Sequence, residues 1–282
     1  MLSNLNFRAT VLSLVMLVVF LGVWQLATAP EVLAPQQGEL SEYEQLMGGG
    51  TDRSSSSGIP APTQVFSHAF SELSNPFYDA GPNDKGIGIQ LAYSIYRVLL
   101  GFALAALIAI PLGFVIGMSP LLNKAFDPYI QILKPISPLA WMPLALFVIR
   151  DSNMSAIFVI FICSIWPMLV NTAYGVASVR NDWLNVAKTH QLSNLRTAFT
   201  VILPAAAPTI LTGMRISIGI AWLVIVAAEM LVGGTGIGYY IWNEWNNLDL
   251  ASVIFAIIMI GIVGFLLDAS LAQATKFVRY AD

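Results

Sequence analysis

From Val98 to Asn123 the chain runs without a single charged side chain, and no other feature constrains its fold as tightly. A hydrocarbon layer about 30 Å thick is crossed by about 20 helical residues rising 1.5 Å each. Val11–Ala27, Met154–Thr172 and Ala251–Leu267 are also free of charge. Inside lipid every backbone N–H and C=O needs a partner within the protein, which leaves helices or a closed barrel. These runs are continuous rather than alternating, so helices are expected. Composition points the same way: 57% of residues are hydrophobic, 10% are charged, and the mean hydropathy is +0.73. A soluble domain carries about a quarter charged residues. The expectation is an all-α polytopic membrane protein.

Several classes of function are excluded. The net charge of −3 argues against a nucleic-acid partner. No GxxxxGK[ST] loop occurs, so the chain does not itself hydrolyse ATP by that chemistry. His68 and His190 are the only histidines and lie far apart, so no metal site is expected. No Ser-His-Asp or paired-carboxylate pattern stands out, so no catalytic residue is assigned and the chain is not expected to be an enzyme. Cys163 has no second cysteine to bridge and sits in an apolar run, where a thiol packs as a small hydrophobe.

Three regions follow along the chain. Residues 1–29 hold a first transmembrane helix. Ala27-Thr28-Ala29 resembles a signal-peptidase site, but the preceding segment has Arg8 as its sole charge and Pro30 would follow the cut, so a retained helix is expected. Residues 30–88 form an acidic extramembrane loop with Gly48–Gly50 and Ser54–Ser57 as flexible punctuation. Within it, Val65, Phe66, Ala69, Phe70 and Leu73 follow Pro62 at helical spacing, which predicts an amphipathic helix on the membrane surface. Residues 89–282 supply five more spans: Ile89–Met118, Pro135–Ile149, Met154–Thr172, Pro208–Val232 and Ala251–Leu267. Pro135, Pro138 and Pro143 predict a kinked or broken third span, and Pro167 an interruption in the fourth. With the N-terminus inside, seven basic residues (Arg8, Lys124, Arg180, Lys188, Arg196, Lys276, Arg279) lie on the inner side against three (Arg53, Lys85, Arg150) outside. The positive-inside rule therefore puts both termini in the cytoplasm and the acidic loop outside.

Between the fourth and fifth spans, Tyr174–Leu203 forms the longest inner segment. Asn181–Lys188 reads as a short helix capped by Asn181 or Asp182, with Leu184, Ala187 and Leu192 on an apolar side and Lys188, His190 and Arg196 on a polar one. On chemistry alone it is either a helix resting on the bilayer or a docking element. The spacing of Asn185-Val186-Ala187, Gln191, Val201 and Leu203-Pro204 resembles the EAA signature of ABC importer permeases, with Asn in place of Glu and Gln in place of Gly. Ser94–Val98, Pro138–Pro143, Ala156–Pro167 and Thr212–Ile216 are similar to the nitrate, sulfonate and taurine permease group. Asn75–Gly86, Ile225–Gly233 and Gly236–Asn247 are similar to its nitrate/nitrite branch, which also holds bicarbonate and cyanate importers.

The resemblance implies a type I (MetI-like) importer permease with six spans in a bacterial inner membrane. It implies a homodimer served by two ATP-binding cassette subunits, which hold the ATP and Mg, and by a periplasmic or lipid-anchored binding protein; this chain itself would bind no cofactor. The coupling helix, at about residues 181–195, would meet the ATPase through Asp182, Trp183, Asn185, Val186, Ala187, Lys188, His190 and Gln191. Nitrate or nitrite is the implied cargo, with bicarbonate, cyanate or an alkylsulfonate as alternatives. A secondary anion transporter is the more distant reading; it would need intramembrane acids and an inverted repeat, whereas Glu229 stands nearly alone and no repeat is visible.

Charges inside the spans mark the candidate pathway, because a buried charge is costly and faces a partner or water. Arg97 and Arg215 are such residues, open to either structural pairing or contact with the anion. Glu229 lies about 21 Å along the same helix from Arg215, too far to pair with it, so Arg97 is its expected partner. Pro138, Trp141 and Met142 in the broken third span serve either as a hydrophobic gate or as ordinary packing.

Overall fold

The computed structural model describes residues 2–28, 59–81 and 84–278. The glycine- and serine-rich stretch at 47–58 lies outside the described residues. The elements are α1 (Leu2–Ala27), α2 (Pro62–Ser74), α3 (Ile87–Met118), α4 (Pro120–Leu133), α5 (Pro138–Ile149), α6 (Ser152–Ala177), α7 (Asn181–Thr189), α8 (Asn194–Thr197), a π-helical turn (Ala198–Ile202), α9 (Leu203–Val232), α10 (Ile237–Asn246) and α11 (Leu250–Val278). Among the described residues, an isolated Asp79–Lys85 bridge is the sole β feature. Five helices are long and apolar enough to cross a membrane, or six if α4 and α5, bent 90° at their junction, count as one broken span.

The core is a three-helix stack in which α6 packs between α3 and α9, with α11 and α10 against α9. Val98, Ala105 and Ala109 of α3, Val159, Ile160 and Met168 of α6, and Val224 and Ile225 of α9 share one buried hydrophobic core. In lipid, helix association rests on close packing rather than on expulsion of water, so small residues matter. On α3, a Cβ at Gly113 would stand 2.7 Å from the Leu169 carbonyl oxygen, and one at Gly117 2.5 Å from that of Ala173. Neither site accepts a side chain, and the Gly-x-x-x-Gly pair lets the two backbones touch. The periphery is looser. Along 7–27, α1 exposes almost every side chain; it packs on α2 and reaches the core through Trp24.

Three expectations need correction. Asn181 and Asp182 lie inside α7; its N-cap is Arg180, whose guanidinium reaches Asp182 at 3.0 Å. Pro167 does not interrupt α6, which runs unbroken through it with Asn171 Nδ2 donating to the Pro167 carbonyl at 2.8 Å. The fifth span starts before Pro208, as one helical run from Asn194 to Val232. Pro204 explains the π turn within that run. A proline ring collides with the carbonyl four residues earlier, here Thr200, and the widened turn removes the clash, with the Leu203 N–H donating to Ala198 O instead.

Candidate functional site

At one end of the stack, α3, α6, α9 and the start of α10 bring polar side chains into a closed node. Gln90, Ser94 and Arg97 fall on one face of α3 at i, i+4 and i+7. Arg97 Nη1 donates to Glu229 Oε1 of α9 at 2.7 Å and to the Thr235 carbonyl at 2.7 Å, while Nε donates to Asn153 Oδ1 of α6 at 2.6 Å. Ser94 Oγ lies 2.8 Å from both carboxylate oxygens. The first turn of α10 completes the shell. Gly238 N–H donates to Glu229 Oε2 at 3.0 Å, Ile237 N–H to Ser94 Oγ at 2.9 Å, and Gly236 N–H to Gln90 Oε1 at 2.6 Å. Glu229 is 2% exposed and Arg97 8%.

The chemistry of this node is containment. A carboxylate this deeply buried is tolerated because a guanidinium, a hydroxyl and the N–H-rich end of a helix all face it. Gly233 and Gly234 take φ of 77° and 91°, a left-handed turn that aims α10 back at Glu229. A Cβ on Gly236 would collide with the Glu229 carboxylate, and one on Gly238 with the Val226 carbonyl. The node therefore locks the loop after α9 to three helices.

Arg215 lies elsewhere. It forms a two-pronged pair with Asp268 of α11, Nε to Oδ1 and Nη2 to Oδ2, both at 2.5 Å, on a half-exposed face. The structure thus keeps Arg97 and Arg215 apart and gives each its own carboxylate. Of the broken-span residues, Pro138 and Trp141 line a cavity at the α4–α5 junction. Met142 is buried in the core and is 1% exposed.

The segment between α6 and α9 presents α7 with Ala187 buried and Leu184 packed on the cluster of Val176, Ile202, Ala206 and Ile210. Asp182, Trp183, Asn185, Val186, Lys188, His190 and Gln191 are all exposed. Trp183 and Val186 stand out as large apolar side chains in the open, at 46% and 57% exposure. Gln191 ends the helix with φ of 50°. Its N–H donates to the Lys188 carbonyl, and that of Leu192 to Ala187. A left-handed residue closing a helix is ordinarily glycine, which is the residue the EAA signature carries at this position.

Sequence reasoning missed Gln90, Ser94, Asn153 and Asp268. For the first two a signal existed: with Arg97 they form a polar stripe on an otherwise apolar helix. Asn153 and Asp268 carried none, because each sits at or beyond the edge of an apolar run.

Comparison with known proteins agrees with this architecture. Residues 109–280 match the family described as binding-protein-dependent transport system inner membrane component. The chain is 47% identical to a nitrate import permease protein NrtB from a Synechocystis species, over 80% of this chain and 82% of the relative. It is 42% identical to a bicarbonate transport system permease protein CmpB from Synechocystis, over 78% and 80%. The fold resembles the inward-facing MetNI methionine ABC transporter, with a TM-score of 0.60 and 12% identity over 67% of this chain and 94% of that one. A bacterial ABC importer of alginate matches over 98% of both chains, with a TM-score of 0.54 and 14% identity. The chain belongs to the inner-membrane permease components of binding-protein-dependent ABC transport systems.

Proposed function

We propose that this chain is the permease subunit of an ATP-driven nitrate importer, working as a pair with two ATP-binding cassette subunits and an external binding protein. The observation that carries the cargo is the 47% identity to a nitrate permease over four-fifths of the chain, against 42% to a bicarbonate permease. Coupling is assigned to α7. Its exposed Trp183 and Val186 form an apolar knob, while Ala187 and Leu184 seat it on the bundle. The ATPase would take that knob in a groove, with Asp182, Asn185, Lys188, His190 and Gln191 around it. From α7 the chain continues through α8 and the π turn into α9, so displacement of α7 is passed to a helix that crosses the membrane. Both chain termini are placed in the cytoplasm and the α2 side faces the periplasm, in accord with the distribution of basic residues.

The test is uptake of isotopically labelled nitrate by proteoliposomes holding the chain with its ATPase and binding-protein partners. Uptake that needs ATP and is not displaced by excess bicarbonate supports the reading; bicarbonate uptake without nitrate uptake overturns it. Truncating the knob with Trp183→Ala should weaken ATPase association by about 30-fold, the effect of an aromatic anchor worth about 2 kcal/mol.

A further inference from the structure

A third basic residue lies near the middle of the bundle, and it differs from the two arginines in meeting no carboxylate among the described residues. Lys134 follows the last residue of α4, at the 90° break before α5. It lines a cavity of about 250 Å³ together with Ser137, Trp141, Cys163, Trp166 and Ile220. Three helices fix the depth of this cavity. Ser137 is twelve residues from Ile149 at the end of α5, Cys163 eleven from Ser152 at the start of α6, and Ile220 twelve from Val232 at the end of α9. At 1.5 Å per residue each path gives about 17–18 Å. The three reference ends lie together, because Ile149 is three residues before Ser152, and Asn153, next to Ser152, and Glu229, near Val232, both meet Arg97. In a hydrocarbon layer about 30 Å thick, the cavity is near the middle.

Charge at that depth is costly and demands a counter-charge or a water-filled path. Arg97 has Glu229 and Arg215 has Asp268. Among the described residues no carboxylate meets Lys134. Nor does the neighbouring Ser137 hydroxyl cap α5, which leaves a second polar group unused at the cavity wall. At about 30 Å³ per water the cavity holds roughly eight waters, enough for a small oxyanion with part of its hydration shell. Trp141 and Trp166 are the aromatic residues in its lining.

We propose that the Lys134 cavity is the midpoint resting site for a small monovalent oxyanion on its way across the membrane. The ammonium group supplies the single compensating charge, and Ser137 a hydrogen bond. This inference rests on the anion-permease reading above and deepens it by naming the site. Because the charge is one lysine on a flexible stem, the site attracts the anion without the multi-point grip that would trap it.

Cys163, the one cysteine in the chain, lines the same cavity and gives a probe that requires no transport. Labelling would be followed by mass spectrometry of the Cys163 peptide in the complete complex in nanodiscs. It would use anionic sulfonatoethyl and cationic trimethylammonioethyl methanethiosulfonates, each rate normalised to that reagent's rate with a simple thiol. The anionic reagent should be favoured by at least about tenfold, the lower end of electrostatic focusing in a cleft. Lys134→Met should bring the ratio close to one, Lys134→Arg should keep it, and millimolar nitrate should slow the anionic reagent. In proteoliposomes Lys134→Met should lower nitrate uptake by about tenfold or more, with Lys134→Arg retaining most of it and both variants still assembling. Equal labelling by the two reagents in the wild type, or a ratio unchanged by Lys134→Met, overturns the proposal. So does loss of assembly in Lys134→Met with the labelling ratio unchanged, which would make Lys134 a pairing residue toward the second copy. If bicarbonate rather than nitrate were the cargo, nitrate uptake would be missing while the labelling contrast stayed, so the two readings fail separately.

Discussion

Replacing Arg97 by Gln tests the containment of Glu229 directly. The substitution removes one charge-assisted hydrogen bond to a side chain that is 2% exposed, and leaves Asn153 Oδ1 and the Thr235 carbonyl without their donor. Glu229 keeps Ser94 Oγ and the Gly238 N–H, but not its counter-charge. Removing one member of a buried ion pair costs about 3–5 kcal/mol, because the surviving charge is stranded. At about 2–4 °C per kcal/mol for chains of comparable size, the midpoint of thermal unfolding in detergent should fall by roughly 10 °C. The double variant Arg97→Gln, Glu229→Gln removes both charges and restores balance, so it should lose less than half of that. Unfolding followed by size-exclusion chromatography of heated samples would measure all four proteins: wild type, Arg97→Gln, Glu229→Gln and the double variant. A single variant within 2 °C of wild type (about 1 kcal/mol at most), or a double variant whose loss equals the sum of the singles, would refute the view that this pair is held as a unit.

Other parts of the molecule give sharper local tests. Gly236→Ala should reduce the folded yield by an overpacking penalty of about 1–3 kcal/mol, since its methyl meets the Glu229 carboxylate; Gly219→Ala, where nothing lies within 4 Å, is the silent control. Gln191→Gly should relieve the left-handed strain at φ 50°, worth about 1 kcal/mol, and slow hydrogen exchange of the amides at positions 191 and 192. On α2, burial pushes the Glu72 carboxyl up despite the opposing pull of His68, with Glu244, Asp84 and Asp249 adding to the rise, and its Oε2 has no hydrogen-bond partner. A raised carboxyl contributes stability below its unfolded value near 4.3 and loses it as the pH climbs through the folded value. Glu72→Gln should therefore raise the unfolding temperature at pH 7 and change it little at pH 4; a gain of equal size at both would refute the assignment.

The membrane-spanning, all-helical character of this chain was legible in residues taken in order. Uninterrupted apolar runs such as Val98–Asn123 need only be long enough to cross a bilayer. The amphipathic Pro62–Ser74 helix and the helix at Asn181–Thr189 were visible for the same reason, because helical periodicity is a property of neighbours. Helix-length arithmetic already turned Glu229 away from Arg215 and toward Arg97, the pair the structure shows. Tertiary structure alone decided that Arg215 meets Asp268, 53 residues away; no local pattern separates a lipid-edge aspartate from a partner of an arginine on another helix. It also set the 90° turn between Leu133 and Pro138. The prolines announced a break there, but its angle depends on what α5 packs against. That turn seats Lys134 at the cavity it shares with Trp141, Cys163 and Trp166.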